Sequence, residues 1–83
     1  MFEFRLAKDE IGVISLEKRA RITGETSSNF RKWQDTVDLK SCSRVILDGT
    51  NIEFIDSMGI AALISIYKTI AAEGNDLVLV NLS

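Results

Sequence analysis

The residues best suited to chemistry in this chain lie together in the segment Asp56-Ser57-Met58-Gly59. Asp and Ser both cap helices, because their side-chain oxygens accept hydrogen bonds from the free amides of the first turn. A serine at a helix N-terminus is also well placed for reversible phosphorylation, since the helix dipole and the free amides stabilise a phosphate of about −2 charge. From these residues alone, both a simple helix cap and a modifiable serine stay open.

Two neighbours of Ser57 favour a functional role for this segment beyond capping the helix. Gly59 falls inside the first turn of the expected helix, where glycine is about 1 kcal/mol less favourable than alanine. Its missing side chain would let another backbone approach the helix start closely. Met58 is a flexible apolar residue suited to a protein-contact surface.

The residue types that usually carry enzymatic chemistry are scarce. The chain has no histidine, which removes the commonest general base and metal ligand. Cys42 is the only cysteine, so it forms no intramolecular disulfide, and we expect it to pack at the start of a strand. Asp56 and Ser57 are adjacent, and such neighbours rarely face each other as base and nucleophile. We predict no catalytic residue, no metal site and no cofactor.

Composition sets the class of protein. With 83 residues, 46% hydrophobic and 27% charged, the chain is predicted to form one folded domain over residues 1–83. A net charge of −2 argues against nucleic-acid binding, and the small basic group at 18–21 is expected to be a solvated strand end. No apolar run reaches the ~20 residues needed to cross a bilayer, so we expect a cytoplasmic protein without direct membrane insertion.

The N-terminal third predicts a hairpin and then a helix. Apolar and polar residues alternate over 2–6, and a second strand is expected from Ile11 to Leu16 after the polar turn 8–10. The segment 17–22 could extend that strand or begin a loop. The spacing of Phe30, Trp33 and Val37 predicts an amphipathic helix over 28–37, capped by a hydroxyl residue at 26, 27 or 28.

The second half predicts two more strands and the longest helix. The nearly continuous apolar run Arg44–Asp48 is typical of a central strand, and Leu77–Val80 of a final strand. A helix is expected from Ser57 to Glu73, ending at Gly74. The order β-β-α-β-α-β therefore predicts an α/β fold with a mixed four-stranded sheet and both helices on one face.

A family resemblance adds to this prediction. The segment Asp48–Ile60 resembles, without a gap, the signature of the STAS domain, which sulfate transporters and anti-sigma factor antagonists share. The similarity continues over 61–68, and 77–83 resembles the family's fourth strand. Family members generally continue with another helix that this chain lacks, so the resemblance implies a C-terminally short STAS domain.

The resemblance implies a function as an anti-sigma factor antagonist in bacterial signalling. Ser57 would be the phosphoacceptor, an anti-sigma factor would be both its kinase and its binding partner, and a serine phosphatase would reset the switch. The protein would then be a binder and a substrate, not an enzyme. The residues implied in partner binding are Asp48, Thr50, Asn51, Asp56, Met58 and Gly59.

Two further expectations concern an alternative function and self-association. The alternative function keeps the fold without the phosphoswitch, as a small subunit of a membrane lipid-transport complex or a part of a sensory scaffold. The serine after Asp56 favours the phosphoswitch over that alternative. Apolar residues surround most of the helix at 57–73, more than one face against a sheet requires, which predicts a homodimer through this helix.

Overall fold

The computed structural model describes residues 1–82, which form six strands and two helices. In chain order these are β1 (Phe2–Leu6), β2 (Ile11–Leu16), β3 (Ala20–Ile22), α1 (Thr26–Gln34), β4 (Arg44–Asp48), β5 (Ile52–Ile55), α2 (Ser57–Ala72) and β6 (Asp76–Val80). A short turn at Lys8–Glu10 joins the first two strands.

The main sheet has the strand order β1-β2-β4-β6. β1 and β2 pair antiparallel, whereas β4 runs parallel to both β2 and β6, so the predicted mixed four-stranded sheet is confirmed. β4 lies inside the sheet, as its apolar sequence predicts, and its Val45 and Leu47 are fully buried. β1 and β6 form the two outer edges.

A second, smaller sheet was not predicted. β3 and β5 pair in parallel, with an irregularity in register between Ala20 and Arg21. Each strand has only three or four residues and carries a charged side chain, so neither segment shows a clear strand pattern. The segment 17–22, left open between strand and loop, therefore ends in a strand, and 52–55 is a strand instead of a simple connection.

Helix α1 begins and ends earlier than the sequence predicts. It runs over Thr26–Gln34, where 28–37 was expected. The predicted hydroxyl cap is wrong: Glu25 occupies the cap position without a side-chain bond, and the Thr26 hydroxyl instead accepts from the backbone N–H of Thr23 at 2.9 Å. Val37 lies in the turn that follows the helix and packs against the core from there.

Both helices pack on one face of the main sheet around one hydrophobic cluster. Phe30 of α1 is 1% exposed and packs against the rings of Phe2, in an edge-to-face arrangement with centroids 5.6 Å apart, and Trp33, at 5.8 Å. These contacts anchor α1 to the first strand. α2 contributes Leu63, Ile66 and Ile70 to the same cluster.

α2 also carries apolar side chains that point away from the core. Ile60, Ile64 and Tyr67 are 55%, 51% and 48% exposed. The helix ends as predicted: Glu73 is its cap, and Gly74 adopts the left-handed conformation with φ 82°. The molecule therefore has a large apolar surface along α2 that its own described residues leave uncovered.

Candidate functional site

The start of α2 is built by Asp56. This residue is extended, with φ −104° and ψ −178°, and its carboxylate accepts a hydrogen bond from the backbone N–H of Gly59 at 2.7 Å. Its carbonyl accepts the first helical bond, from Ile60. Asp56 is therefore the N-cap, which resolves the choice that the sequence left open between Asp56 and Ser57.

Ser57 is the first residue of the helix and is exposed. Because Asp56 makes the capping bond, the Ser57 hydroxyl is not needed for the cap. A phosphate on this hydroxyl would lie at the positive end of the helix dipole but beside the Asp56 carboxylate. The Ser57 hydroxyl is therefore accessible from solvent, and the hydrogen bond that holds the helix start does not depend on it.

Gly59 is buried where α2 meets β3. A β-carbon at this position would collide with the backbone carbonyl group of Ile22. The Asp56 N–H also donates to the Ile22 carbonyl, at 3.4 Å. Gly59 thus admits the close backbone approach expected from the sequence, and β3 supports the segment that carries Ser57.

Exposed apolar side chains lie next to Ser57 in the chain and on the strand that leads to it. Met58 is 62% exposed. Its β-carbon lies 3.5 Å from the position that a β-carbon on Gly24 would occupy. On β5, Phe54 is 38% exposed, and the guanidinium of Arg21 lies 4.2 Å from the centroid of its ring. Arg21 belongs to the basic group at 18–21, and sequence reasoning missed its contact with Phe54 because β3 was not predicted.

Asp48 organises the loop after β4. Its carboxylate accepts hydrogen bonds from the Thr50 hydroxyl at 2.6 Å, the Thr50 N–H at 3.0 Å and the Asn81 side-chain amide at 3.0 Å. The Thr50 hydroxyl first, and then the Asn81 amide and the Thr50 N–H, hold the pKa of Asp48 below its ordinary value of 3.8. The carboxylate thereby ties the β4–β5 loop to the end of β6.

This pKa shift predicts an acid-sensitive loop. A lowered folded pKa adds stability above pH 3.8, and that stability is lost as the pH falls through the folded value. We expect the unmodified protein to have a higher free energy of unfolding than Asp48→Asn at about pH 6. Urea unfolding should show this difference shrinking as the pH falls to about 2. Thr50→Val should reduce the pH dependence. A free-energy gap to Asp48→Asn that stays constant over this range would contradict the prediction.

Asn51 connects three strands. Its side-chain amide donates to the Leu16 carbonyl at 2.8 Å, and its own carbonyl accepts from the Ala20 N–H at 2.9 Å. Asn51 thus holds the connection between β2 and β3 against the start of β5. Thr50 is exposed.

The predicted partner-binding residues fall into two groups. Asp56, Met58 and Gly59 adjoin Ser57 at the start of α2, whereas the loop residues Asp48, Thr50 and Asn51 precede β5. Five extended steps separate Asn51 from Asp56, a path of about 16 Å along the chain. Both groups border β5, which makes this strand the structural link between the loop and the serine.

The lone thiol lies apart from this site. Cys42 is 2% exposed, and burial, followed by the nearby Asp38 and Glu10 carboxylates, raises the pKa of its thiol. A protonated, buried thiol is a poor nucleophile. Within residues 1–82, no cluster of three potential metal ligands occurs, and no helix combines the length and apolar character needed to cross a membrane.

Solved structures share this architecture. The chain matches an antisigma-factor antagonist STAS domain from Rhodobacter sphaeroides over 96% of its own length and 84% of that chain, with a TM-score of 0.69 and 19% identity. It matches the anti-sigma factor antagonist SpoIIAA in its unphosphorylated form over 100% and 74%, with a TM-score of 0.61 and 16% identity. At these identities the two structures establish the fold.

A transporter structure is also similar. The chain is 26% identical to part of the murine anion transporter Slc26a9, with a TM-score of 0.69, over 89% of this chain. It spans only 12% of that transporter's length.

Among curated proteins, none is significantly similar to this chain. The model of the STAS domain family matches residues 6–83, nearly the whole sequence. The chain therefore belongs to the STAS domain family.

Proposed function

We propose that this protein is an anti-sigma factor antagonist that is switched by phosphorylation of Ser57. The observation that carries the proposal is the exposed Ser57 at the start of α2, next to the Asp56 that makes the capping bond in its place. The two anti-sigma factor antagonists of the same fold support it as analogy. In this role the protein is a cytoplasmic binder and kinase substrate, not an enzyme.

The physical basis of the switch is desolvation. Met58, next to Ser57, is exposed and apolar, and Phe54 is exposed on the strand that leads to Ser57, which suits contact with a partner protein. A phosphate of about −2 charge in that contact would have to lose its water, and Asp56 beside it adds repulsion instead of compensation. Unmodified protein would capture the anti-sigma factor and free the sigma factor, and phosphorylated protein would release it.

The partner surface would include the loop after β4 as well. Thr50 is exposed there, while Asp48 and Asn51 hold the loop in place through their hydrogen bonds. Gly59 is buried, so it would contribute by setting the position of the helix start against Ile22. A serine phosphatase would restore the binding form by removing the phosphate.

The first test is phosphorylation itself. Incubation with ATP and serine kinases encoded in the same genome should add one phosphate, detected by intact mass and mapped to Ser57 by peptide fragmentation. Ser57→Ala should remain unmodified. Ser27→Ala is the matched control, because Ser27 lies in the first turn of α1 but has no neighbouring aspartate cap, and it should be modified normally. A phosphate that persists in Ser57→Ala would contradict the proposal.

A second candidate function rests on the transporter similarity. The 26% identity to a segment of the anion transporter Slc26a9 favours a role beside a membrane protein. The roles of this kind that the sequence left open are a small subunit of a lipid-transport complex and a part of a sensory scaffold. In that role Ser57 would stay unmodified, and the protein would copurify with a membrane complex after tagging in its native cell. Copurification with a serine kinase of the anti-sigma type would favour the first candidate.

We also expect the protein to self-associate along α2. Ile60, Ile64 and Tyr67 are about half exposed on this helix, more apolar surface than an isolated molecule usually leaves in water. This expectation concerns assembly and does not depend on the phosphorylation of Ser57.

A further inference from the structure

Two residues that cap helices equally well stand side by side at the start of α2. Aspartate and serine have nearly the same preference for the N-cap position, so residue type does not decide between Asp56 and Ser57. In the structure the cap is Asp56, whose carboxylate accepts from the Gly59 N–H at 2.7 Å. None of the side-chain hydrogen bonds within residues 1–82 involves the Ser57 hydroxyl, which is therefore left to solvent.

Three groups of Asp56 hold it outside the helix. Its N–H donates to the Ile22 carbonyl of β3 at 3.4 Å, and its own carbonyl accepts from the Ile60 N–H at 3.0 Å. Its side chain makes the third bond, to Gly59, while its backbone is extended, as the cap position requires. Only this third bond depends on the kind of residue at position 56. The side chain is therefore what favours Asp56 over Ser57 as the cap.

Without a side-chain oxygen at position 56, Ser57 would be the nearest available cap. It would change from helical to extended backbone, and its hydroxyl oxygen would accept from the amide of Gly59 or Ile60. A cap of typical strength corresponds to about a fivefold change in population, which would favour this shortened helix. The hydroxyl would then point into the first turn instead of into solvent.

We infer that Asp56 is a positioning residue for the phosphorylation of Ser57, because its carboxylate occupies the cap and keeps the serine hydroxyl available to the kinase. This role rests on the proposed function, since it concerns the same serine. In the transfer, the Ser57 oxygen bonds to the γ-phosphorus of ATP, the bond to the ADP oxygen breaks with its electron pair, and the hydroxyl proton passes to a base of the kinase. An oxygen bonded inside the first turn is turned away from that reaction.

The role requires an oxygen at position 56, not a negative charge. Asparagine caps helices as well as aspartate does, since its side-chain oxygen accepts the same hydrogen bond. Asp56→Asn should therefore keep the bond from the Gly59 N–H and leave Ser57 in the helix, whereas Asp56→Ala loses that bond. Both variants remove the charge. Comparing them thus separates the position of Ser57 from any electrostatic effect of the carboxylate on the kinase.

The first test measures the exchange of caps without a kinase. In the unmodified protein, Ser57→Ala should leave the urea midpoint nearly unchanged, because the hydroxyl makes no bond there. In an Asp56→Ala background, the same replacement should lower the folding equilibrium constant by about a further fivefold, because Ser57 has become the cap. The ¹³Cα chemical shift of Ser57 should lose its helical value in Asp56→Ala and keep it in Asp56→Asn. Additive effects of the two alanine replacements on stability would overturn the positioning role.

The second test is the rate at which a serine kinase encoded in the same genome phosphorylates each variant with ATP, followed by intact mass. The kcat/KM should fall at least about fivefold for Asp56→Ala, and Asp56→Asn should restore it to within about twofold of the unmodified protein. Asn75→Ala is the matched control, because it removes a side-chain hydrogen bond to the Leu39 carbonyl near the other end of α2. It should be phosphorylated at the unmodified rate.

The outcomes separate this role from the proposed function. An equal loss of kcat/KM in Asp56→Asn and Asp56→Ala, or no loss in either, would overturn the positioning role and leave phosphorylation of Ser57 intact. An equal loss in Asn75→Ala would also overturn it, because reduced stability would then explain the effect. If the unmodified protein gained no phosphate on Ser57, the proposed function would fail and the positioning role with it.

Discussion

Replacing Gly59 by alanine should destabilise the protein by about 2–4 kcal/mol, although alanine is the better helix former. The added β-carbon would collide with the carbonyl group of Ile22, and backbone atoms of a packed strand cannot turn aside as a flexible side chain can. Either β3 or the first turn of α2 must move. The gain of about 1 kcal/mol from helix propensity offsets only part of that cost.

Chemical denaturation of Gly59→Ala beside Gly24→Ala measures this effect. A β-carbon on Gly24 would lie 3.5 Å from its nearest neighbour, an ordinary contact, so that variant should change the free energy of unfolding by less than about 1 kcal/mol. Because Gly59 lies two residues from Ser57, its replacement should also lower phosphorylation of Ser57 at temperatures where the protein remains folded. Equal stability of the two variants would contradict the tight approach of β3 to α2.

Truncation of Phe30 to alanine should be the most destabilising change of a single side chain, by about 3–5 kcal/mol. Phe30 is 1% exposed and contacts both Phe2 and Trp33, so its removal leaves a cavity between α1 and the sheet. A domain of this size has a total stability of only about 5–10 kcal/mol. We therefore expect a large fall in the midpoint of thermal unfolding.

Phe54→Ala is the matched control, since it removes the same ring from a surface position. Phe54 is 38% exposed and contacts Arg21 through its ring, so its loss should cost about 1 kcal/mol. The two variants are compared by urea unfolding followed by circular dichroism. If Phe54→Ala were as destabilising as Phe30→Ala, the aromatic cluster on α1 would not be the centre of the core.

Much of the fold could be predicted because its strongest signals are local. The alternation in β1, the apolar run of β4 and the glycine after α2 each depend on neighbouring residues only, and all three predictions are confirmed. The pairing of β3 with β5 could not be predicted in this way. It depends on contacts between segments about 30 residues apart in sequence, and Arg21 and Glu53 obscure the apolar pattern in strands so short.

The sequence predicted which residues form the candidate site, but only part of how they contact one another. The sequence suggested Asp56 or Ser57 as the cap and a close backbone contact at Gly59, yet only the structure identifies Asp56 as the cap and Ile22 as the contact. The hydrogen bond between Asp48 and Asn81 joins residues far apart in the chain, so no local sequence pattern predicts it. The hydroxyl cap of α1 was wrong because Thr26 bonds backwards to Thr23, an alternative that the residue type alone does not distinguish.

If Ser57 is the proposed switch, a phosphate on its hydroxyl should abolish capture of an anti-sigma factor. The most direct measurement is a calorimetric titration of the anti-sigma factor encoded in the same genome with unmodified protein, with protein phosphorylated at Ser57, and with Ser57→Ala. The unmodified protein and Ser57→Ala should bind with similar affinity, and binding should be at least about 100-fold weaker after phosphorylation. Equal affinity of the phosphorylated and unmodified forms would contradict it.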